Sequence, residues 1–153
     1  VRIGNTSVTV IEGQVAYTFS DARFKNNILH EVPGLEFILG LKPVTYQVNY
    51  PKLSKMLGEQ QANLAFLQQR SQQTEMGLLA QQVEEVCQKL GINVSNLVHH
   101  PESDKDNYSL AYGSLVIPLI KAVQEQQQQI EFLKQQLLEV EIIKQRLSTL
   151  EKK

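Results

Sequence analysis

Residues 114–153 read SLVIPLIKAVQEQQQQIEFLKQQLLEVEIIKQRLSTLEKK, and this stretch decides the fold. After Pro118 it contains neither glycine nor proline. Pro118 itself falls in the first turn of the helical pattern, where a missing N–H costs little because that N–H would have no intrahelical partner. Ser114, just behind Gly113, is placed to serve as N-cap. The stretch therefore predicts one helix of about 35 residues, roughly 50 Å long at 1.5 Å per residue. Such a helix must cover its apolar stripe. Val116, Leu119, Val123, Ile130, Leu133, Leu137 and Val140 fit heptad a and d positions, interrupted by Gln126. The seam then shifts to Ile143, Leu147 and Leu150, a phase change of the stammer type. Packing on the chain's own core would account for the first two turns only, since no other segment is left to cover the last four. The pattern predicts a coiled coil between chains. Its a and d positions mix β-branched residues with Leu, so the pattern alone leaves the number of strands open.

Working back from the helix, YSLAY alternates through Tyr108, Leu110 and Tyr112 as a short strand, and residues 91–107 read as loop. From Gly77 onward, Leu79, Val83, Val86 and Leu90 step at helical spacing, with Gly91 as the C-terminal stop. Residues 52–73 are glutamine-rich and predict helix in part. VTYQVNY alternates cleanly through Val44, Tyr46, Val48 and Tyr50 before Pro51 ends it, and Leu35, Ile38 and Leu39 predict a helix ending before Pro43. At the start, Val8 and Val10, then Val15, Tyr17 and Phe19, alternate around Glu12-Gly13 as two β-ribbons. They are too short to bury a core alone, so they read as the cut end of a longer β-structured stalk. Together this is an α+β chain, a small mixed globular domain followed by a long helix.

Composition narrows the function classes. A chain of 153 residues supports one modest domain with an appended element, and a net charge of -1 lacks the basic face of a nucleic-acid binder. No apolar run is long enough to span a bilayer, and the first residues lack the pattern of a signal peptide. The lone Cys87 excludes an internal disulfide and reads as a small buried apolar residue. His99 and His100 sit beside Pro101 in a polar, turn-forming run and read as exposed; His30 is the third histidine.

One short motif can carry chemistry. Ser20-Asp21-Ala22-Arg23-Phe24-Lys25 has an ordinary reading, in which Ser20 or Asp21 caps a helix while Arg23 and Lys25 are solvated. Ser20 and Lys25 stand five residues apart, a spacing that separates them on a regular helix and puts them on opposite faces of a strand. A dyad of the two needs an irregular turn, or partners from two chains.

The stretch SDARFKNNI (residues 20–28) resembles the opening signature of the intramolecular chaperone auto-processing domain. That domain is found at the end of phage endosialidase tailspikes and tail fibres, in related bacterial surface proteins, and in myelin regulatory factor. The matching positions are Ser20, Asp21, Arg23, Lys25 and Ile28. The resemblance continues in order through LKPVTY (residues 41–46), GLLAQQVEEV (77–86) and YSLAYGSLVIPLIKAVQEQ (108–126), covering about residues 20–135. It departs at Cys87-Gln88-Lys89, where a proline is expected, and residues 51–76 match nothing in it.

The resemblance implies a homotrimer and a Ser–Lys dyad, with Ser20 as nucleophile, Lys25 as general base, Asp21 and Arg23 in support, and the scissile bond between Phe19 and Ser20. It implies no cofactor and no metal, no nucleic-acid or membrane partner, and a phage tail or bacterial cell-surface fibre as the setting. A serine hydroxyl is a poor nucleophile until a base removes its proton, and lysine is a base only when neutral, a form that burial favours. Phe24, Ile28 or an adjoining subunit could supply that burial. Arg23 would press in the same direction, and Asp21 would oppose it if paired with Lys25. On this reading residues 1–19 end the upstream β-stalk, 20–113 form the chaperone domain with its auto-processing site, and 114–153 form the coiled-coil helix. Two alternatives stand beside it: a non-catalytic trimerisation or registration module of a fibrous adhesin or tail fibre, and a cytosolic coiled-coil scaffold with no passenger.

Overall fold

A computed structural model describes residues 5, 6, 8, 20–60, 62–93, 96–104 and 106–151. The ribbons expected over residues 1–19 fall mostly outside this set, as does Phe19. Among the residues of that stretch that are described, the Val8 N–H donates to Asn5 O (3.2 Å).

The described chain is a small mixed α+β domain followed by a long helix. A 3-10 turn, Ala22–Phe24, precedes α1 (Leu35–Gly40), β1 (Val44–Tyr46), α2 (Tyr50–Met56), α3 (Leu64–Arg70), β2 (Glu75–Gly77) and α4 (Ala80–Lys89). Then come β3 (Val98–His99), β4 (Ser109–Leu110), a second 3-10 turn (Tyr112–Leu115) and α5 (Val116–Leu150). Two antiparallel ladders hold these together, β1 on β2 with Thr45 opposite Met76, and β3 on β4 with Val98 opposite Leu110.

The core gathers Phe37 of α1, Val83 and Cys87 of α4, Leu97, and Leu115 at the foot of α5. Cys87 is buried, and that burial raises its thiol pKa. Helix α4 ends as its sequence predicts. Gly91 takes the left-handed conformation (φ 64°), its N–H donates to Gln88 O and the Ile92 N–H to Cys87 O, a paired closure that satisfies two terminal carbonyls. α1 packs on α5, and Glu125 of α5 accepts the otherwise orphaned Leu35 N–H (2.7 Å).

Several expectations are corrected. Strand β1 stops at Tyr46, because Tyr50 already belongs to α2, with Pro51 in its first turn and Asn49 Oδ1 accepting the Lys52 N–H. Gly77 ends β2, and α4 starts at Ala80 with Leu79, the first residue of the apolar spacing, as its N-cap. The supposed loop 91–107 contains β3, and of YSLAY only Ser109 and Leu110 pair. In α1 the buried residue is Phe37, while Leu39 stays exposed. Ser114 lies inside the second 3-10 turn and does not cap α5; its hydroxyl faces Asn96 O at 3.4 Å.

Helix α5 runs for 35 residues, as expected. Pro118 and Ala122 are buried at its foot, but every residue from 126 to 151 is exposed within the chain. The seam residues Ile130, Leu133 and Leu137 have 42%, 61% and 60% of their surface open, so the chain itself leaves most of the stripe uncovered. No helix among the described residues is long and apolar enough to cross a membrane.

Candidate functional site

The site is built by residues 20–27. Asp21 is extended (φ -71°, ψ 122°), and its carboxylate accepts the Arg23 N–H at 2.9 Å, capping the turn Ala22–Phe24. A cap of this kind satisfies a donor that the turn leaves free. The Phe24 N–H donates to Asp21 O and the Lys25 N–H to Ala22 O, which closes the turn. Lys25 then returns to extended backbone (φ -104°, ψ 125°), and Asn27 bends the chain through the left-handed region (φ 53°). Asparagine is among the few residues that enter this region readily.

The consequence is the contact that regular structure forbids. One tight turn flanked by extended residues brings Lys25 Nζ to 2.9 Å from Ser20 Oγ within a single chain. A second chain is not needed to bring the two atoms together.

Asp21 and Arg23 pair with each other. The Arg23 fork reaches both Asp21 oxygens (3.1 Å from Nε to Oδ1, 2.7 Å from Nη2 to Oδ2), and its guanidinium lies 5.7 Å from the Phe24 ring centroid. This bond, with the backbone cap second, holds the Asp21 carboxyl below the ordinary range, and the same bond raises the Arg23 pKa. Asp21 is therefore engaged by Arg23 while it caps the turn. Of the sources of burial for Lys25 that the sequence left open, Phe24 and Ile28 do not supply it within the chain. They are 65% and 61% exposed, and Ser20 and Lys25 are exposed with them.

The pair opens onto a cleft of about 910 Å³. Val32 and Pro33 line it beside Ser20 and Lys25, with Asn96, Gly113 and Val116 among the other lining residues. Val116 is also the first seam residue of α5. No sequence signal pointed to Asn96 or Gly113 as sharing this cleft with Ser20, because the chain returns to it only after more than seventy residues. Among the described residues there is no cluster of three His, Cys, Asp or Glu side chains suited to hold a metal.

Residues 20–92 match a family model whose description is "Chaperone of endosialidase". The match starts at Ser20 and ends at Ile92, inside the turn that closes α4, and spans just under half of the chain. No curated protein and no solved structure matches the chain.

Proposed function

Residues 20–92 belong to the endosialidase-chaperone family, and from that premise we propose that the chain is an intramolecular chaperone that cuts itself once, between Phe19 and Ser20. It trimerises through α5, assists an upstream fibrous β-passenger to fold, and is then severed from it. The observation that carries this reading is the 2.9 Å contact between Ser20 Oγ and Lys25 Nζ, set in a turn that Asp21 and Arg23 hold in shape.

The chemistry follows from the residue types. Neutral Lys25 takes the proton of the Ser20 hydroxyl, and Oγ attacks the carbonyl carbon of Phe19. The C–N bond breaks, the Ser20 nitrogen gains the proton from Lys25 and becomes a free amine, and Phe19 is left as an ester on Oγ. Lys25 then deprotonates a water that attacks this ester. One water is consumed, Phe19 ends as a carboxylate and Ser20 recovers its hydroxyl. Each chain reacts once.

The neutral lysine this requires is favoured by desolvation. The turn is open within one chain, so the cover comes from assembly. The bare stripe of α5 begins at Val116, on the wall of the same cleft, and a neighbour seated there would close it. Assembly thus gates the cut by completing the surroundings of a pair already formed. Once severed, the folded passenger lacks the element that helped it fold, and its unfolding becomes irreversible in practice.

The test is intact mass and a denaturing gel of the assembled full chain. A new N-terminus at Ser20 in wild type is expected, with no cleavage in Ser20→Ala or in Lys25→Arg, whose guanidinium stays protonated. A wild-type assembly that stays one intact band would leave only a non-catalytic registration module. Lys25→Arg cutting at the wild-type rate would remove Lys25 from the mechanism.

A further inference from the structure

The helical pair α2 and α3 holds a set of side chains that the self-cutting chemistry does not use. Helix α2 ends in the same paired closure as α4. Gly58 is left-handed (φ 71°), its N–H donates to Lys55 O, and the Glu59 N–H donates to Ser54 O. This position usually carries an apolar residue that packs back on the helix. Here it carries Glu59, whose carboxylate turns over the helix end and accepts the hydroxyl of buried Ser54 at 3.0 Å.

The Glu59 carboxylate also accepts from Thr6. The Thr6 N–H donates to Oε1 at 3.0 Å, and the Thr6 hydroxyl donates to Oε2. From the end of α3, Arg70 donates to Thr6 O and, at 3.1 Å, to Val8 O. Thr6 is buried, although it stands on the far side of Ser20 from both helices. One carboxylate thus takes the N–H and O–H of the turn while one guanidinium takes its carbonyls.

The bracket is anchored to the rest of the domain. The Arg70 guanidinium lies 4.1 Å from the Tyr50 ring centroid, and the Tyr50 hydroxyl donates to Glu75 of β2 (2.8 Å). Ser71 joins the helices, accepting the Tyr50 N–H and donating to Leu67 O, and Leu67 is fully buried beneath. Donors, acceptors and stacking surface are therefore fixed by packing, which is what a pre-organised recognition site requires.

We infer that α2 and α3 form a docking site for a polar, hydroxyl-bearing turn of the chain upstream of Ser20, with Thr6 as the residue it reads. The site holds that turn through Glu59 and Arg70 rather than through the covalent link at Ser20. On the proposed cut, with which this inference shares its passenger, the segment before Ser20 stays seated after the bond is broken. Release of the passenger is then a second step, separate from the chemistry.

The experiment is amide hydrogen exchange on the full-length Ser20→Ala chain, which decides the docking site whether or not the wild type cuts itself. The Thr6 amide is expected to exchange much more slowly than in a free peptide. Loss of a charge-assisted hydrogen bond in Glu59→Gln or Arg70→Lys should reduce its protection on the order of tenfold to a hundredfold. Thr6→Val, which keeps shape and removes the hydroxyl, should loosen the segment at Val8, and Thr6→Ser should restore it. The amides of Val83 and Cys87 in α4 report that each variant is folded. Exchange of the Thr6 amide at the free-peptide rate in a folded chain, or protection unchanged in folded Glu59→Gln, would overturn the site. In self-cut wild type, fragment 1–19 should co-elute with the chaperone and separate from it in Glu59→Gln. Immediate loss of the fragment from wild type would overturn the delayed release.

Discussion

Gly77 offers a quantitative check on how β2 packs against Tyr46 and Tyr112. A Cβ placed there would lie 2.5 Å from the Tyr112 hydroxyl and 2.9 Å from the Tyr46 hydroxyl, both well inside contact distance. Gly77 does not occupy the left-handed region, so the obstacle is this crowding and not backbone strain. Tyr112 cannot step aside freely, because its hydroxyl accepts the Leu78 N–H at 2.8 Å, between β2 and α4. Gly77→Ala must therefore either hold the clash, at about 1–3 kcal/mol for overpacking, or swing the ring out and lose a hydrogen bond of about 0.5–1.5 kcal/mol. Tyr112 is 48% exposed, which favours the swing, so the expected cost is about 1–2 kcal/mol. Tyr112→Phe loses the same hydrogen bond but removes the nearer obstacle. The double variant should then cost less than the sum of the two, by roughly 1 kcal/mol. The assay is urea denaturation of four Ser20→Ala chains at one fixed protein concentration, with m held constant as the sign that only stability moved. Strictly additive losses, or a neutral Gly77→Ala, would refute the argument.

Two further outcomes follow from the described geometry. Ile130, Leu133 and Leu137 together changed to Ala should leave α5 helical, since Ala is the best helix former, yet cost an assembly several kcal/mol per chain at about 2–5 for each buried side chain; sedimentation over a dilution series should show a smaller species, and unchanged sedimentation would place the contact elsewhere. The Asp106 carboxyl is held at about 2, first by the His99 ring and then by the Glu102 and Asn107 N–H groups. Its folded-state value lies below the unfolded one, so its contribution is present above about pH 4 and is lost as pH falls toward 2. Carbon-detected NMR titration should place the midpoint near 2, and His99→Ala should raise it toward the ordinary carboxylate range.

What the sequence determined by itself is what local rules govern. A run without glycine or proline beyond the first turn makes α5, and its heptad stripe already requires cover that the chain lacks. Gly91 closes α4 because the left-handed position suits a residue without Cβ. The signature from Ser20 to Lys25 was legible as a string, as was the need for an irregular turn to join its ends. Only the tertiary structure decided that Asp21 would cap that turn and that Arg23 would hold Asp21. It also left Phe24 and Ile28 open, so that of the sources of burial for Lys25 only an adjoining subunit is left. The short strands were misjudged for a related reason. Alternation predicts a surface half buried, but whether Tyr50 or Tyr112 pairs depends on partners that arrive from elsewhere in the chain. The bracket around Thr6 gave no signal at all. Glu59 and Arg70 are ordinary charged residues in a glutamine-rich stretch, separated from Thr6 by more than fifty residues, and a matched set of acceptors and donors for its N–H, hydroxyl and carbonyl exists only once two short helices have packed around Leu67.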